Sequence, residues 1–205
     1  MRQTGGGYVL PAVAPHMTFL AALVETFNTQ GHDFSVLALA YTLAPEGAFP
    51  QQLIEATELL NRLLKTEGRS PDSIIIGGDS AGGNLTVSVI SHILHPHPKV
   101  EKLELNAPLR GAILISPWVS FRSDDYSATA NATTDMIDER AVNRWAHAFV
   151  GTTGSGNAVG DSWSEPRRAP ASWWQGANKV VKHALILGGE REILIGECSL
   201  FGLLR

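Results

Sequence analysis

Gly78-Asp79-Ser80-Ala81-Gly82 sets a serine between glycines two positions away on either side. An apolar run, Ile74-Ile75-Ile76, precedes it, and a helical pattern over 82–94 follows. A serine at a sharp strand-to-helix turn needs small neighbours, because the turn closes only where no Cβ intrudes. Its hydroxyl is then exposed at the carboxyl end of a sheet, near the positive end of a helix dipole. That arrangement suits nucleophilic attack on an acyl carbon, with the backbone N–H of Ala81 available to hold an oxyanion. Upstream, Gly5-Gly6-Gly7-Tyr8 can turn successive N–H groups toward the same oxygen. A phosphate-binding loop does not fit, because Gly83-Asn84 stands where that loop needs lysine, and the dinucleotide fingerprint is absent.

The elements that must position these residues alternate along the chain. Phe19, Leu20, Leu23, Val24 and Phe27 have helical spacing, with Gly31 as a stop. Phe34–Ala40 is a short apolar run that reads as a buried strand. Pro50 opens a second helix, which carries leucines to Leu64 and ends at Gly68. Ser73–Ile76, Gly111–Ser116 and Ala184–Leu187 read as three more buried strands, and Asp138–Val150 as a further helix. Buried strands alternating with amphipathic helices imply an α/β fold, a mostly parallel sheet with helices on both faces. Residues 117–178 break the alternation and read as a cap or lid inserted into a single domain spanning 1–205.

Composition sets the outer bounds. The chain has 205 residues, 44% of them hydrophobic, and a formal charge of −4, which argues against nucleic-acid binding. One cysteine excludes an internal disulfide framework and a cysteine-rich metal site. No apolar run reaches the ~18 residues of a membrane span, so the expected location is the cytoplasm. His95-Pro96-His97 has a spacing that could ligate metal, but a helix-terminating turn fits it better, and no metal or cofactor is expected.

Four segments together resemble the hormone-sensitive-lipase branch of the α/β-hydrolase fold. They are Gly5-Gly6-Gly7-Tyr8, Tyr41-Thr42-Leu43-Ala44-Pro45 with Phe49-Pro50, Gly78 to Leu85, and Ile115-Ser116-Pro117-Trp118. The resemblance implies a serine carboxylesterase or deacetylase working through an acyl-enzyme on a small-molecule ester. It implies Ser80 as nucleophile and Gly6, Gly7 and Ala81 as oxyanion donors. Gly188 to Leu194 is similar to the family's acid segment, with Glu192 as the matching acid and Glu190 as second choice. A catalytically dead ligand-binding relative, and an amidase or thioesterase on the same machinery, are the alternatives.

Three departures from the family pattern carry expectations. Thr4 stands where the family has histidine before the glycines. All seven histidines precede Glu192, whereas the fold's order is Ser, acid, His, so the triad base is missing and inactivity of this chain is expected. Met1–Thr4 is too short to supply the central strand, so the fold is expected to be incomplete, lacking early strands and the last strand and helix. The sheet should then be unstable or differently paired.

Overall fold

The computed structural model describes residues 2–3, 6–122, 126–154 and 156–197. Thr4, Gly5 and Cys198 lie outside the described residues.

Five strands form one parallel sheet: β1 (Arg2–Gln3), β2 (Ala38–Leu39), β3 (Ile75–Asp79), β4 (Gly111–Ile115) and β5 (Ala184–Leu187), in the order β2-β1-β3-β4-β5. The missing central strand is a correction. Arg2–Gln3 pairs with Ala38–Leu39 on one side and with Gly77–Gly78 on the other. The neighbouring strand is equally short: β2 is Ala38–Leu39 rather than the whole of 34–40. The third strand is also shifted, running to Asp79 so that it delivers Ser80 at its carboxyl end.

The helices are α1 (Ala14–Thr29), α2 (Gln51–Asn61), α3 (Ala81–Leu94), α4 (Tyr126–Ala130) and α5 (Glu139–Val150). A π-helical turn at Arg62–Thr66 extends α2. The β1-to-β2 crossover runs toward one edge of the sheet, whereas β2-to-β3 and β3-to-β4 run the other way. Right-handed crossovers therefore put α1 on one face and α2 and α3 together on the other, and α2 and α3 do pack against each other. Helix α3 is the centre of the core, with every residue from Ala81 to His92 buried. Helix α5 starts on the Asp138 carboxylate, which accepts the Ala141 N–H at 2.6 Å, and ends on Gly151 at φ 71°.

Coverage of the two faces is unequal. Ala112 and Leu114 are buried, but Ile113, in register with Leu185, is exposed, as is Leu187 beside Ile115. Helix α1 buries only Leu20. No helix among the described residues is long and apolar enough to cross a membrane.

Candidate active site

Ser80 sits between β3 and α3 at φ 50°, ψ −115°, a backbone conformation disfavoured for any residue with a Cβ. Backbone bonds hold it there. Its N–H donates to the Ile115 carbonyl at 2.9 Å, and its own carbonyl accepts from Asn84 at 2.9 Å and Trp118 at 3.0 Å. The glycine after the elbow is required by the neighbouring loop: a Cβ on Gly83 would stand 2.9 Å from Pro117 Cα. The Ser-Pro-Trp segment after β4 thus braces the serine turn from behind.

The glycine loop follows β1, whose Gln3 is in register with Gly78, so it leaves the sheet beside the elbow. Gly6, Gly7 and Tyr8 have φ of 117°, 60° and 64°, three consecutive positive values. The Gly6 carbonyl accepts from Val9 and Leu10, which folds the loop back on itself. Among the described residues no carbonyl accepts the N–H of Gly6 or Gly7. Ala81 opens α3, where a helix has no preceding carbonyl to offer its N–H. The Tyr41–Pro45 motif fixes the loop from the other side, with the Ala44 N–H donating to the Tyr8 carbonyl at 2.8 Å. The Tyr8 ring lies flat on Phe149 of α5 at 3.8 Å.

Glu192 is half-buried in the segment after β5, and its Oε2 is buried with no hydrogen-bond partner. Glu190 is exposed. Residues near α4 pin the Glu192 segment. Asp135 accepts the Ile193 N–H at 2.6 Å, Asn131 donates to the Glu192 carbonyl at 2.9 Å, and Ser127 donates to the Ile193 carbonyl at 2.8 Å. These three anchors were invisible in the sequence, because they act across about sixty residues of chain.

Five of the seven histidines have engaged ring nitrogens, none of them by Ser80. His16 in the first turn of α1 accepts the Val13 N–H at Nδ1 and faces Asp79 at 3.5 Å through Nε2. His92 accepts the His97 N–H and meets the Glu101 carbonyl, and His147 meets Thr152 and Gly156. His95 bonds the Trp173 carbonyl, and the His97 ring packs on Trp163. His32 follows α1, and His183 lies just before β5, at the amino end of the parallel strands, whereas Ser80 is at their carboxyl end. Trp163 and Trp173 pack around the carboxyl end of α3, with Trp163 Nε1 donating to His95 and Trp173 Nε1 to Ser91. That end is a whole helix length, about 20 Å for fourteen residues, from Ser80.

A sequence model of the α/β-hydrolase fold matches residues 4–200. The chain belongs to this family. Among curated relatives, an acetyl-hydrolase of Streptomyces hygroscopicus is 27% identical over 192 residues, 93% of this chain and 56% of the relative. Arylacetamide deacetylase of Rattus norvegicus is 27% identical, covering 59% of this chain and 37% of that one. The crystal structure of an esterase from the bacterial hormone-sensitive lipase family superposes with a TM-score of 0.75 at 25% identity, covering 97% of this chain and 59% of the esterase. The chain is thus similar to the hormone-sensitive-lipase branch of the fold. It spans a little over half the length of the acetyl-hydrolase and of the esterase.

Proposed function

We propose that this chain carries the nucleophile and oxyanion half of a carboxylic ester hydrolase, with Ser80 as nucleophile and the N–H groups of Gly6, Gly7 and Ala81 as oxyanion donors. The observation that carries this reading is the juxtaposition of a strained Ser80 at the head of α3 with a loop of three consecutive positive-φ residues. In the first step Ser80 Oγ bonds to the ester carbonyl carbon and the carbonyl oxygen becomes an oxyanion. The tetrahedral adduct then collapses, the bond to the alcohol oxygen breaks, and the alcohol leaves carrying the proton that Ser80 Oγ released on attack. Water cleaves the acyl-serine in the second half. Relatives named as acetyl-hydrolase and deacetylase favour small acyl groups such as acetyl.

Glu192 is the proposed orienting acid, and its buried, unpartnered Oε2 supports that role. Residues 117–178 are proposed as the cap, with α5 against the oxyanion loop. No histidine of the chain follows Glu192, and five of the seven have their ring nitrogens engaged by groups other than Ser80, so the reading assigns Ser80 no imidazole from these residues. Oxyanion stabilisation without a full triad still gives about a thousandfold over water. The expected behaviour is slow acylation by a strong electrophile with poor turnover.

The test is labelling of the purified chain with a fluorophosphonate, read by mass, with Ser80→Ala as control. One label per chain, lost in Ser80→Ala, supports the reading. A folded chain that takes no label refutes the nucleophile assignment. That no described histidine bonds to Ser80 favours a second reading, a ligand-binding hydrolase relative, which predicts saturable ester binding without acylation.

A further inference from the structure

We propose that Asn84 and Tyr8 are positioning residues that set the oxyanion loop against the nucleophile turn. The inference rests on the reading of residues 6–8 and Ser80 given above. Asn84 is fully buried, one helical turn after Ser80, and its backbone N–H already holds the Ser80 carbonyl. Its side chain makes three long-range bonds. Oδ1 accepts the Tyr8 hydroxyl at 2.6 Å, and Nδ2 donates to the Trp118 carbonyl at 2.7 Å and to the Ser164 carbonyl at 2.9 Å. One amide therefore ties together the glycine loop, α3, the segment after β4 and the inserted residues before β5.

The valences explain the residue types. Both Nδ2 hydrogens and the Oδ1 acceptor are used, so neither aspartate nor leucine could replace all three bonds. Tyr8 is fully buried and held at φ 64°, so its ring is an anchor for a loop that glycine would otherwise leave free. Burial, with Tyr41 nearby, pushes the phenol well above its ordinary pKa, so the hydroxyl remains a donor throughout the working pH range. Removing that hydroxyl takes away one oxygen while leaving Oδ1 buried and unpaired.

The experiment combines two readouts on the whole chain: the rate of fluorophosphonate labelling at Ser80, and hydrogen–deuterium exchange. Tyr8→Phe is expected to slow labelling about tenfold, the effect of one unpaired buried acceptor felt at the reaction barrier. It should also speed exchange about tenfold at 6–10 and at 80–84 together, while leaving 184–187 unchanged. Asn84→Asp keeps the acceptor for Tyr8 but loses both donations. It should loosen 160–166 and 116–119 more than 6–10. Two outcomes overturn the inference: labelling at the parental rate, or faster exchange confined to the substituted segment. If the parent chain takes no label but exchange at 6–10 and 80–84 stays coupled in Tyr8→Phe, the nucleophile assignment falls and the positioning role stands.

Discussion

Gly7→Ala tests the packing of the oxyanion loop directly. Gly7 has φ 60°, and a Cβ built there would lie 2.4 Å from both Cδ2 and Cε3 of the Trp145 indole. These are atoms at the root of a rigid ring on α5, which is held by buried Val142, Ala146 and Phe149. Two effects add. A left-handed conformation costs an L-residue about 1–2 kcal/mol. Overpacking a filled contact costs about 1–3 kcal/mol. The sum is roughly 2–5 kcal/mol, a fall of roughly 5–15 °C in Tm for a chain of this size. Urea unfolding followed by circular dichroism measures it, and two further variants separate the effects. Gly68 has φ 64° with nothing within 4 Å of its would-be Cβ, so Gly68→Ala should show the backbone cost alone. Trp145→Ala should recover about 1–3 kcal/mol of the Gly7→Ala loss in the double variant. The reasoning is refuted if Gly7→Ala costs no more than Gly68→Ala, or if Trp145→Ala recovers nothing.

Ser80→Gly should be more stable than Ser80→Ala by about 1–3 kcal/mol in thermal melts, because only glycine relieves the strain at φ 50°; equal melts would remove the strain argument. Gly83→Ala should cost about 1–3 kcal/mol, since its Cβ meets backbone at Pro117 rather than a movable side chain, and a neutral result in urea would contradict the close approach. His92 is held neutral by burial, with its pKa lowered from 6.5, so as pH falls below 6.5 the unfolded chain gains a proton that the native chain refuses. Stability should therefore decline below that pH, and His92→Gln should flatten the decline in a pH series of urea midpoints. Asp72 acts in a lower window. Its carboxyl is held below its ordinary value by the hydrogen bond from Lys182, so its contribution is present above about pH 4 and lost on acidification through the folded value. Lys182→Met should lower stability slightly at neutral pH and flatten the acid-side decline, with no change of slope across the neutral range.

Most of the serine turn was legible in the sequence because its constraints are local. A strand, a turn closed by glycines and a helix are read from neighbouring residues, and Ile75–Asp79, Ser80 and Ala81–Leu94 fall within a few positions of that reading. Ala184–Leu187 and helix α5 were legible for the same reason: an apolar run stopped by two glycines, and an amphipathic stretch from Asp138 to Val150. Strand length was not legible. Phe34–Ala40 is apolar but for Ser35, yet among the described residues only Ala38–Leu39 pairs.

What the sequence alone determined is the order of parts: α/β alternation, the serine between glycines, and the glycine loop ahead of it. The physical reason is that periodicity, turn chemistry and Cβ exclusion act over a few residues. What only the tertiary structure decided is how those parts are held. Arg2–Gln3 becomes a central strand because two edges of a sheet meet there, which no property of Arg or Gln announces. Asn84 becomes the junction of four segments because three partners 34 to 80 residues away converge on one buried amide. Five of the seven histidines, His16, His92, His95, His97 and His147, have ring nitrogens taken up by carbonyls, N–H groups, a hydroxyl or a carboxylate close at hand, and none of these partners is Ser80. Hydrogen-bond valence in a buried site is satisfied by whatever the fold brings near, and only the folded chain decides what that is.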